Sequence, residues 1–154
     1  GALKKHEHEI EGINSRLDGI QAAVLNVKIP HLKSWTAARQ TNAALYRAAL
    51  SEIPQIKYIA EKPNTKHSYH LFIILSEERD ALKSHLEAAG IETAIHYPTP
   101  LPLLKAYAAE GYTATDFPHA AKAAKQMLSL PMYPELTSEQ MNYIAQSIKA
   151  FYAQ

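Results

Sequence analysis

An amide side chain and a guanidinium side chain lie two residues apart near the amino terminus, at Asn14 and Arg16. Both groups donate hydrogen bonds, and a guanidinium pairs strongly with carboxylate or phosphate oxygens. They precede a run predicted to be an amphipathic helix, whose first backbone N–H groups are unpaired and attract negative charge. The pattern indicates an anion-binding position. The alternative is that Asn14 closes a turn and Arg16 is solvated.

A second polar pair, His96 and Tyr97, follows a short apolar segment predicted to be a strand over residues 91–95. Prolines then occupy alternate positions in the chain, and each proline fixes its own φ angle. A stiff loop at the end of a strand is a frequent location for binding residues. The alternative is structural: His96 bonds to the backbone and Tyr97 packs against the core.

The segment before Asn14 is polar and contains two histidines, His6 and His8, that alternate with glutamates. Alternate residues of an extended strand share a face, so both imidazoles could approach one metal ion. However, a transition-metal site usually needs a third ligand and ordered hydrogen bonds around the ligands. We therefore expect a solvated arm or edge segment, and no metal.

Length and composition limit the possible classes of protein. The 154 residues suit one domain, or one domain with an arm, and 47% hydrophobic with 20% charged residues is typical of a globular chain. The net charge of +1 gives no electrostatic basis for binding nucleic acid or an anionic membrane. The sequence contains no cysteine and no apolar run long enough to span a membrane. We expect a soluble, cytoplasmic protein.

Common catalytic motifs are absent from the sequence. The five glycines are scattered, so they form no phosphate-binding loop, and neither a Gly-x-Ser-x-Gly elbow nor a His-Glu-x-x-His helix occurs. Carboxylates lie mostly at predicted helix surfaces and caps, which leaves no obvious acid pair. By residue chemistry alone, the chain is a globular domain with one candidate anion site and one His–Tyr site.

The elements that position these residues are predicted from periodicity, caps and breakers. Apolar spacing and capping residues predict five helices: 16–28, 31–51, 77–89, one beginning at Pro118 and one after a capping box at Thr137. Apolar runs predict three strands: 68–75, 91–95 and 128–133. Ser15 is the predicted N-cap of the first helix, which places Asp18 in its first turn. The order indicates a small sheet covered mostly on one face by helices, an α+β or α/β layer.

The stretch from Gly12 to Ala23 resembles a motif of the DegT/DnrJ/EryC1/StrS sugar aminotransferases, Gly-aromatic-Asn-x-Arg-Leu-Asp-x-x-Gln-Ala-Ala. Further segments resemble the same family in the same order: residues 28–32, 69–72, 90–98 and 128–137. The resemblance therefore spans essentially the whole chain. Two positions depart from the pattern. Ile13 replaces an aromatic residue, and Pro102 stands where the family often has histidine.

The resemblance implies the small C-terminal domain of the fold-type-I scaffold, with a short, mainly antiparallel sheet covered by helices. Residues 1–16 would be an arm from the preceding large domain, and residues 17–154 the small domain. The implied enzyme uses pyridoxal phosphate to transfer an amino group, from a donor such as glutamate, to a nucleotide-linked keto sugar. The family's Schiff-base lysine lies in the large domain, so we assign no catalytic residue and expect the chain alone to be inactive.

The resemblance also implies roles for the two polar pairs. Asn14 would contact the phosphate of pyridoxal phosphate in the neighbouring subunit of a homodimer. Arg16 would contact an anionic group of the nucleotide sugar, and His96 and Tyr97 would line the sugar-nucleotide pocket. Pro102 lacks the hydrogen-bond donor that a histidine would supply to the same loop.

Two other functions remain compatible with the sequence. A sugar dehydratase of the same family differs by a histidine in place of the upstream lysine, which the matched region does not include. A regulatory or interaction domain is the second alternative. The near-neutral charge and the lack of a recognition-helix pattern argue against DNA binding by such a domain.

Overall fold

The chain forms two compact units, residues 1–33 and residues 34–154. A computed structural model describes residues 2–4, 7–8, 13 and 16–153. The predicted division into an arm over 1–16 and a small domain over 17–154 refers to a longer protein, and it remains a prediction.

The first unit contains a short hairpin and one helix. Strands β1 (Ala2–Lys4) and β2 (Glu7–His8) pair antiparallel. Helix α1 spans Gly19–Lys28 and is followed by a 3₁₀ turn over Ile29–His31. Two histidines were considered as metal ligands. His6 lies outside the described residues, and so does the side chain of His8. Within the described part of the chain, no group of three His, Cys, Asp or Glu residues could hold a metal ion.

Helix α1 begins three residues later than the sequence predicted. Asp18 is its N-cap, because the Asp18 Oδ1 accepts a hydrogen bond from the Gln21 backbone N–H at 3.0 Å. A carboxylate at this position pairs one of the free N–H groups of the first turn, which favours a helix start directly after it. The prediction that Asp18 lies inside the first turn was therefore wrong. Ser15, the predicted cap, lies outside the described residues.

The second unit is a three-stranded antiparallel sheet with helices. Its elements are most of α2 (Leu32–Ala49), β3 (Lys57–Tyr58), β4 (Phe72–Leu75), α3 (Arg79–Ala88), α4 (Pro118–Gln126), β5 (Met127–Leu130) and α5 (Ser138–Tyr152), with 3₁₀ turns at Leu101–Leu103 and Lys105–Glu110. Strand β4 is central: Ile74 faces Tyr58 of β3 on one side and Leu128 of β5 on the other. This arrangement confirms the predicted α+β class with a short antiparallel sheet.

One hydrophobic cluster joins the sheet to α2, α3 and α5. It includes the fully or almost fully buried residues Tyr46, Phe72, Ile74, Leu82, Leu86, Leu128 and Ile148. The Tyr46 and Phe72 rings stack with their centroids 5.0 Å apart. Helix α5 begins at the predicted capping box, with Gln140 N–H donating to the Thr137 Oγ1 at 3.2 Å. Helix α4 begins at Pro118, as predicted.

Two predicted strands are shorter in the structure. The run 68–75 forms a strand only from Phe72, because Tyr69 adopts a positive φ of 48°, which an extended strand does not permit. The segment 91–95 forms a single bridge, between Ala94 and Ser129. Strand β4 alternates between buried and half-buried residues, so one of its faces is more fully covered than the other.

The ends of two other elements also differ from the prediction. The helix predicted over 77–89 is α3, and the Ser76 Oγ accepts the Glu78 N–H at 3.0 Å in the turn before it. The strand predicted over 128–133 is β5, which ends before Pro131, because proline cannot donate to a ladder. No helix in the described part of the chain is both long and apolar enough to cross a membrane.

Candidate functional site

Arg16 lies in the irregular segment before α1 and is exposed to solvent. The sequence placed it at the entrance of the helix, but Asp18 occupies that position and brings its own carboxylate. An anion near Arg16 would therefore be attracted by the guanidinium rather than by free helix N–H groups. Asn14, the other predicted anion contact, lies outside the described residues.

His96 is held by the edge of the sheet in the second unit. The backbone of Ala94 exchanges two hydrogen bonds with Ser129, at 3.2 and 2.8 Å. The buried Ser129 side chain then places its Oγ 2.9 Å from the His96 Nδ1. A half-buried imidazole is thereby fixed through one nitrogen, and its Nε2 makes no hydrogen bond to any described residue. The partner is a side-chain hydroxyl and not the backbone that the structural alternative proposed.

Tyr97 projects from the same segment and is 72% exposed. Its ring meets the His96 ring edge to face, with centroids 5.4 Å apart and an angle of 86° between planes. The peptide bond that joins the two residues is cis. The structural alternative in which Tyr97 packs against the core was wrong.

An open cleft of about 490 Å³ lies beside Tyr97. One wall is the proline-rich loop from Tyr97 to Leu101 with Leu104, and the other is α4 with Met127. Ala120, Ala123 and Ala124 share one face of α4 through their i, i+3 and i+4 spacing, and their small side chains leave space in the cleft. We call this feature the Tyr97 cleft.

The Tyr97 cleft is apolar. Of the described residues, none with a charged side chain lines it, and Tyr97 and Thr99 are its lining residues with polar side chains. The proline-rich loop contains a 3₁₀ turn over Leu101–Leu103, which includes Pro102. Pro102 is not among the residues that line the cleft.

The turn before α4 contains the exposed carboxylate of Asp116, which has a lowered pKa. Asp116 accepts hydrogen bonds from the backbone N–H and the hydroxyl of Thr113, both at 2.8 Å. These two bonds favour the ionised form and lower the pKa of Asp116 below its usual range. They order the chain that leads into α4.

Two contributors to the site were not identified from the sequence. Ser129 was assigned only to a strand, although a serine between two leucines of a buried strand signals a polar side chain that needs a partner. The alanine face of α4 was also missed. Its signal is the run of small residues 120, 121, 123 and 124, but their role requires the loop 97–104 opposite them.

Comparison with known proteins decides the family. A model of the DegT/DnrJ/EryC1/StrS aminotransferase family matches residues 1–149. The chain belongs to this family. It is 43% identical to the erythromycin biosynthesis sensory transduction protein of Saccharopolyspora erythraea over 97% of this chain and 41% of that protein. It is 42% identical to the dTDP-3-amino-3,4,6-trideoxy-alpha-D-glucose transaminase of Streptomyces venezuelae, over 97% and 39% respectively.

Solved structures of the aminotransferase family share the fold. The structure of S. venezuelae DesV in complex with a ketimine intermediate superposes with a TM-score of 0.90 at 40% identity, covering 99% of this chain and 41% of that one. A Streptococcus pneumoniae protein described as a sugar aminotransferase, solved in a PLP form, gives a TM-score of 0.76 at 30% identity over 85% and 34%. The chain therefore spans about 40% of the length of the relatives it matches.

Proposed function

We propose that this chain is the C-terminal small domain of a nucleotide-sugar aminotransferase. The complete protein transfers an amino group, from a donor such as glutamate, to a keto sugar linked to a nucleotide, with pyridoxal phosphate as cofactor. The observation that carries the proposal is the family match over residues 1–149, in a chain that holds a fixed His–Tyr pair beside an open cleft.

The proposed substrate contacts are His96, Tyr97 and Arg16. Ser129 fixes the His96 imidazole through Nδ1, which leaves Nε2 able to bond a sugar hydroxyl. Tyr97 offers an exposed ring and a hydroxyl beside it. Arg16 offers an exposed guanidinium, which suits a diphosphate or carboxylate of the nucleotide sugar.

Pyridoxal phosphate, when bound, carries the amino group between donor and acceptor. Asn14 is proposed to donate a hydrogen bond to its phosphate in the neighbouring subunit, and this contact requires a homodimer. An amide and a guanidinium are chemically suited to phosphate oxygens. Every lysine from Lys28 onward is exposed or only half-buried, and we assign none of them to the cofactor. The expected cytoplasmic location also remains a proposal.

The first test is a transamination assay with pyridoxal phosphate, glutamate and a keto-sugar nucleotide. We expect no turnover by the 154-residue chain and measurable turnover by a longer family protein that contains it. The catalytic amine of the family belongs to the region that this chain does not match. Robust turnover by the chain alone would overturn the proposal.

A second test addresses the site in the longer protein. His96→Ala should raise the KM for the nucleotide sugar by about tenfold, since one hydrogen bond to a bound ligand contributes roughly 1 kcal/mol or somewhat more. The matched control is His119→Ala, an exposed histidine of α4 that does not line the Tyr97 cleft. Equal KM values for the two variants would remove His96 from the substrate site.

One relative supports a different candidate, a regulatory function. The S. erythraea protein at 43% identity is named a sensory transduction protein. A regulator that acts on DNA would retain duplex DNA in a salt-dependent manner, because phosphate contacts release counterions. With a net charge of +1 we expect no such retention at physiological salt. Salt-dependent binding of duplex DNA by the chain would favour the regulatory candidate.

A further inference from the structure

We infer that Ser129 is a positioning residue that sets the tautomer of His96. The Ser129 hydroxyl donates its proton to the His96 Nδ1, so the single proton of the neutral imidazole lies on Nε2. His96 then meets a ligand as a hydrogen-bond donor and not as a proton acceptor. The tautomer is a property of this chain, whereas its use by a substrate rests on the proposed function.

The neighbours of Ser129 in the sheet offer its hydroxyl no acceptor. Ser129 faces Ile73 of β4 on one side and Ala94 in the isolated bridge on the other. Directly opposite residues of antiparallel strands have side chains on the same face, with Cβ atoms roughly 4.5–5.5 Å apart. Both neighbours carry aliphatic side chains. The Ser129 residue is only 5% exposed, so water does not replace the missing acceptor.

The backbone of the bridge is already paired. The Ser129 N–H donates to the Ala94 carbonyl at 2.8 Å, and the Ala94 N–H donates to the Ser129 carbonyl at 3.2 Å. The hydroxyl of Ser129 makes a hydrogen bond to one group of the described residues, the His96 Nδ1 at 2.9 Å. The fate of the hydroxyl proton therefore depends on this single contact.

Two proton arrangements are compatible with the contact between Ser129 and His96. If Nδ1 carried the proton, it would donate to Oγ, and the serine O–H would be a buried donor without a partner. If the hydroxyl donates, its proton is paired, and what stays unused is lone-pair capacity on Oγ. Buried donors without a partner are rarer than buried oxygens with an unused lone pair. The second arrangement is therefore favoured.

This tautomer defines the ligand atom that His96 fits. The hydrogen bond made by one ring nitrogen determines which nitrogen carries the proton. With Nδ1 occupied by the Ser129 hydroxyl, the neutral ring has no free lone pair and offers one N–H, on the half-buried imidazole. Its partner is an oxygen that accepts a hydrogen bond. The neutral His96 does not remove a proton from a substrate while Ser129 holds it.

The experiment is a long-range ¹H–¹⁵N correlation spectrum of the histidine rings in the 154-residue chain, recorded at mildly alkaline pH, where histidine side chains are neutral. The chain contains eight histidines, so the loss of one set of signals in His96→Gln identifies those of His96. We expect the Nδ1 of His96 to resonate as a non-protonated nitrogen and its Nε2 as a protonated one. A protonated Nδ1 would overturn the inference.

Three serine variants test whether Ser129 sets the tautomer. Ser129→Ala removes the donor, and both tautomers of His96 should then be populated. Ser129→Thr keeps a hydroxyl at the same position and should retain the single tautomer. The matched control is Ser76→Ala, which removes another buried serine hydroxyl, bonded to Tyr152 at 2.5 Å, and should leave the His96 signals unchanged. A single, unchanged tautomer in Ser129→Ala would show that Ser129 does not set it.

Kinetics of an active longer protein test the use of this donor. Ser129→Ala should raise the KM for the nucleotide sugar by about three- to fivefold, less than His96→Ala, because the ring remains but its N–H is no longer held in place. Ser129→Thr should restore the KM. An unchanged KM in Ser129→Ala would overturn the role of Ser129 in substrate binding. The spectra decide the tautomer whatever the activity assay shows, so failure of the proposed function is distinguishable from failure of this inference.

Discussion

Helices α1 and α5 are both rich in apolar residues, but the exposure of those residues differs. In α5, Met141, Ile144, Ala145 and Ile148 are buried in the core of the second unit. In α1 no residue is buried, and Ile20 and Val27 are 81% and 71% exposed. An apolar pattern thus identifies the face of a helix that requires a partner. It does not show whether this chain supplies that partner.

The two patterns also differ in shape. At 100° per residue, the apolar residues of α5 form one stripe. In α1, Ile20, Val24 and Val27 form one stripe, and Leu25 lies on the opposite side with Ile29 after it. A helix with apolar residues on two sides is typical of one enclosed by protein, and a helix with one stripe is typical of a domain surface.

The largest expected difference is between matched isoleucine substitutions in the two helices. Ile148→Ala removes a fully buried side chain from the core and should lower the free energy of unfolding by about 2–5 kcal/mol. Ile20→Ala removes an exposed one and should change it by less than about 0.5 kcal/mol. Denaturant titration of both variants measures the two values. Similar losses would show that α1 is buried in solution.

Tyr46 should produce a smaller, pH-dependent effect. Its buried hydroxyl donates to the Pro131 carbonyl at 3.1 Å, and burial raises the pKa of Tyr46 above its ordinary value of 10.0. Tyr46→Phe should therefore cost about 1 kcal/mol at neutral pH. The stabilisation is fully present below the unfolded-state pKa near 10 and is lost as the pH rises beyond it, so the two proteins should converge in alkali.

The loss of stability at alkaline pH should also be confined to one unit. Residues 1–33 contain no tyrosine, so base should accelerate amide exchange beyond its intrinsic rate only in the second unit. Denaturation curves of the wild type and of Tyr46→Phe between neutral pH and about pH 11 measure the convergence. A constant difference across this range would contradict it.

Equivalent N-caps in the two helices should give a still smaller contrast. Thr137→Ala removes the cap of α5 and should lower the free energy of unfolding by about 1 kcal/mol. Asp18→Ala removes the cap of α1, which should increase amide exchange in the first turn of α1 with little effect on global unfolding. Hydrogen exchange combined with denaturation separates local from global effects. An equal global loss for both variants would contradict the comparison.

The smallest effect on stability is expected at Asp116, an exposed residue of the second unit. It tests whether the exposure of a residue, rather than the unit that contains it, determines how much the residue contributes to stability. Its pKa is lowered by the bonds from Thr113, so the stabilisation is present above the unfolded-state pKa and is lost as the pH falls through the lower folded-state value. Carboxyl NMR titration of Asp116, with Thr113→Ala as the variant, measures it. An ordinary pKa in the wild type would show that the turn is not formed.

Helix starts could be predicted from the sequence because their signals are local. Strand lengths could not, because they depend on pairing with distant strands. The capping box at Thr137 and the proline at 118 predicted the starts of α5 and α4, because both act on the adjacent turn. The strand predicted over 91–95 is a single bridge, because a strand exists only as far as a neighbouring strand pairs with it.

The sequence by itself determined the α+β class, the family and the two polar pairs, since these depend on residue type, spacing and motif order. Tertiary structure alone decided the environment of each pair. Ser129 reaches His96 across 33 residues, and α4 closes the Tyr97 cleft against a loop about twenty residues earlier in the chain. It also decided that α1 stays exposed while α5 is buried. Packing between distant segments has no local signature, so the chain shows which faces are apolar and only the fold shows what covers them.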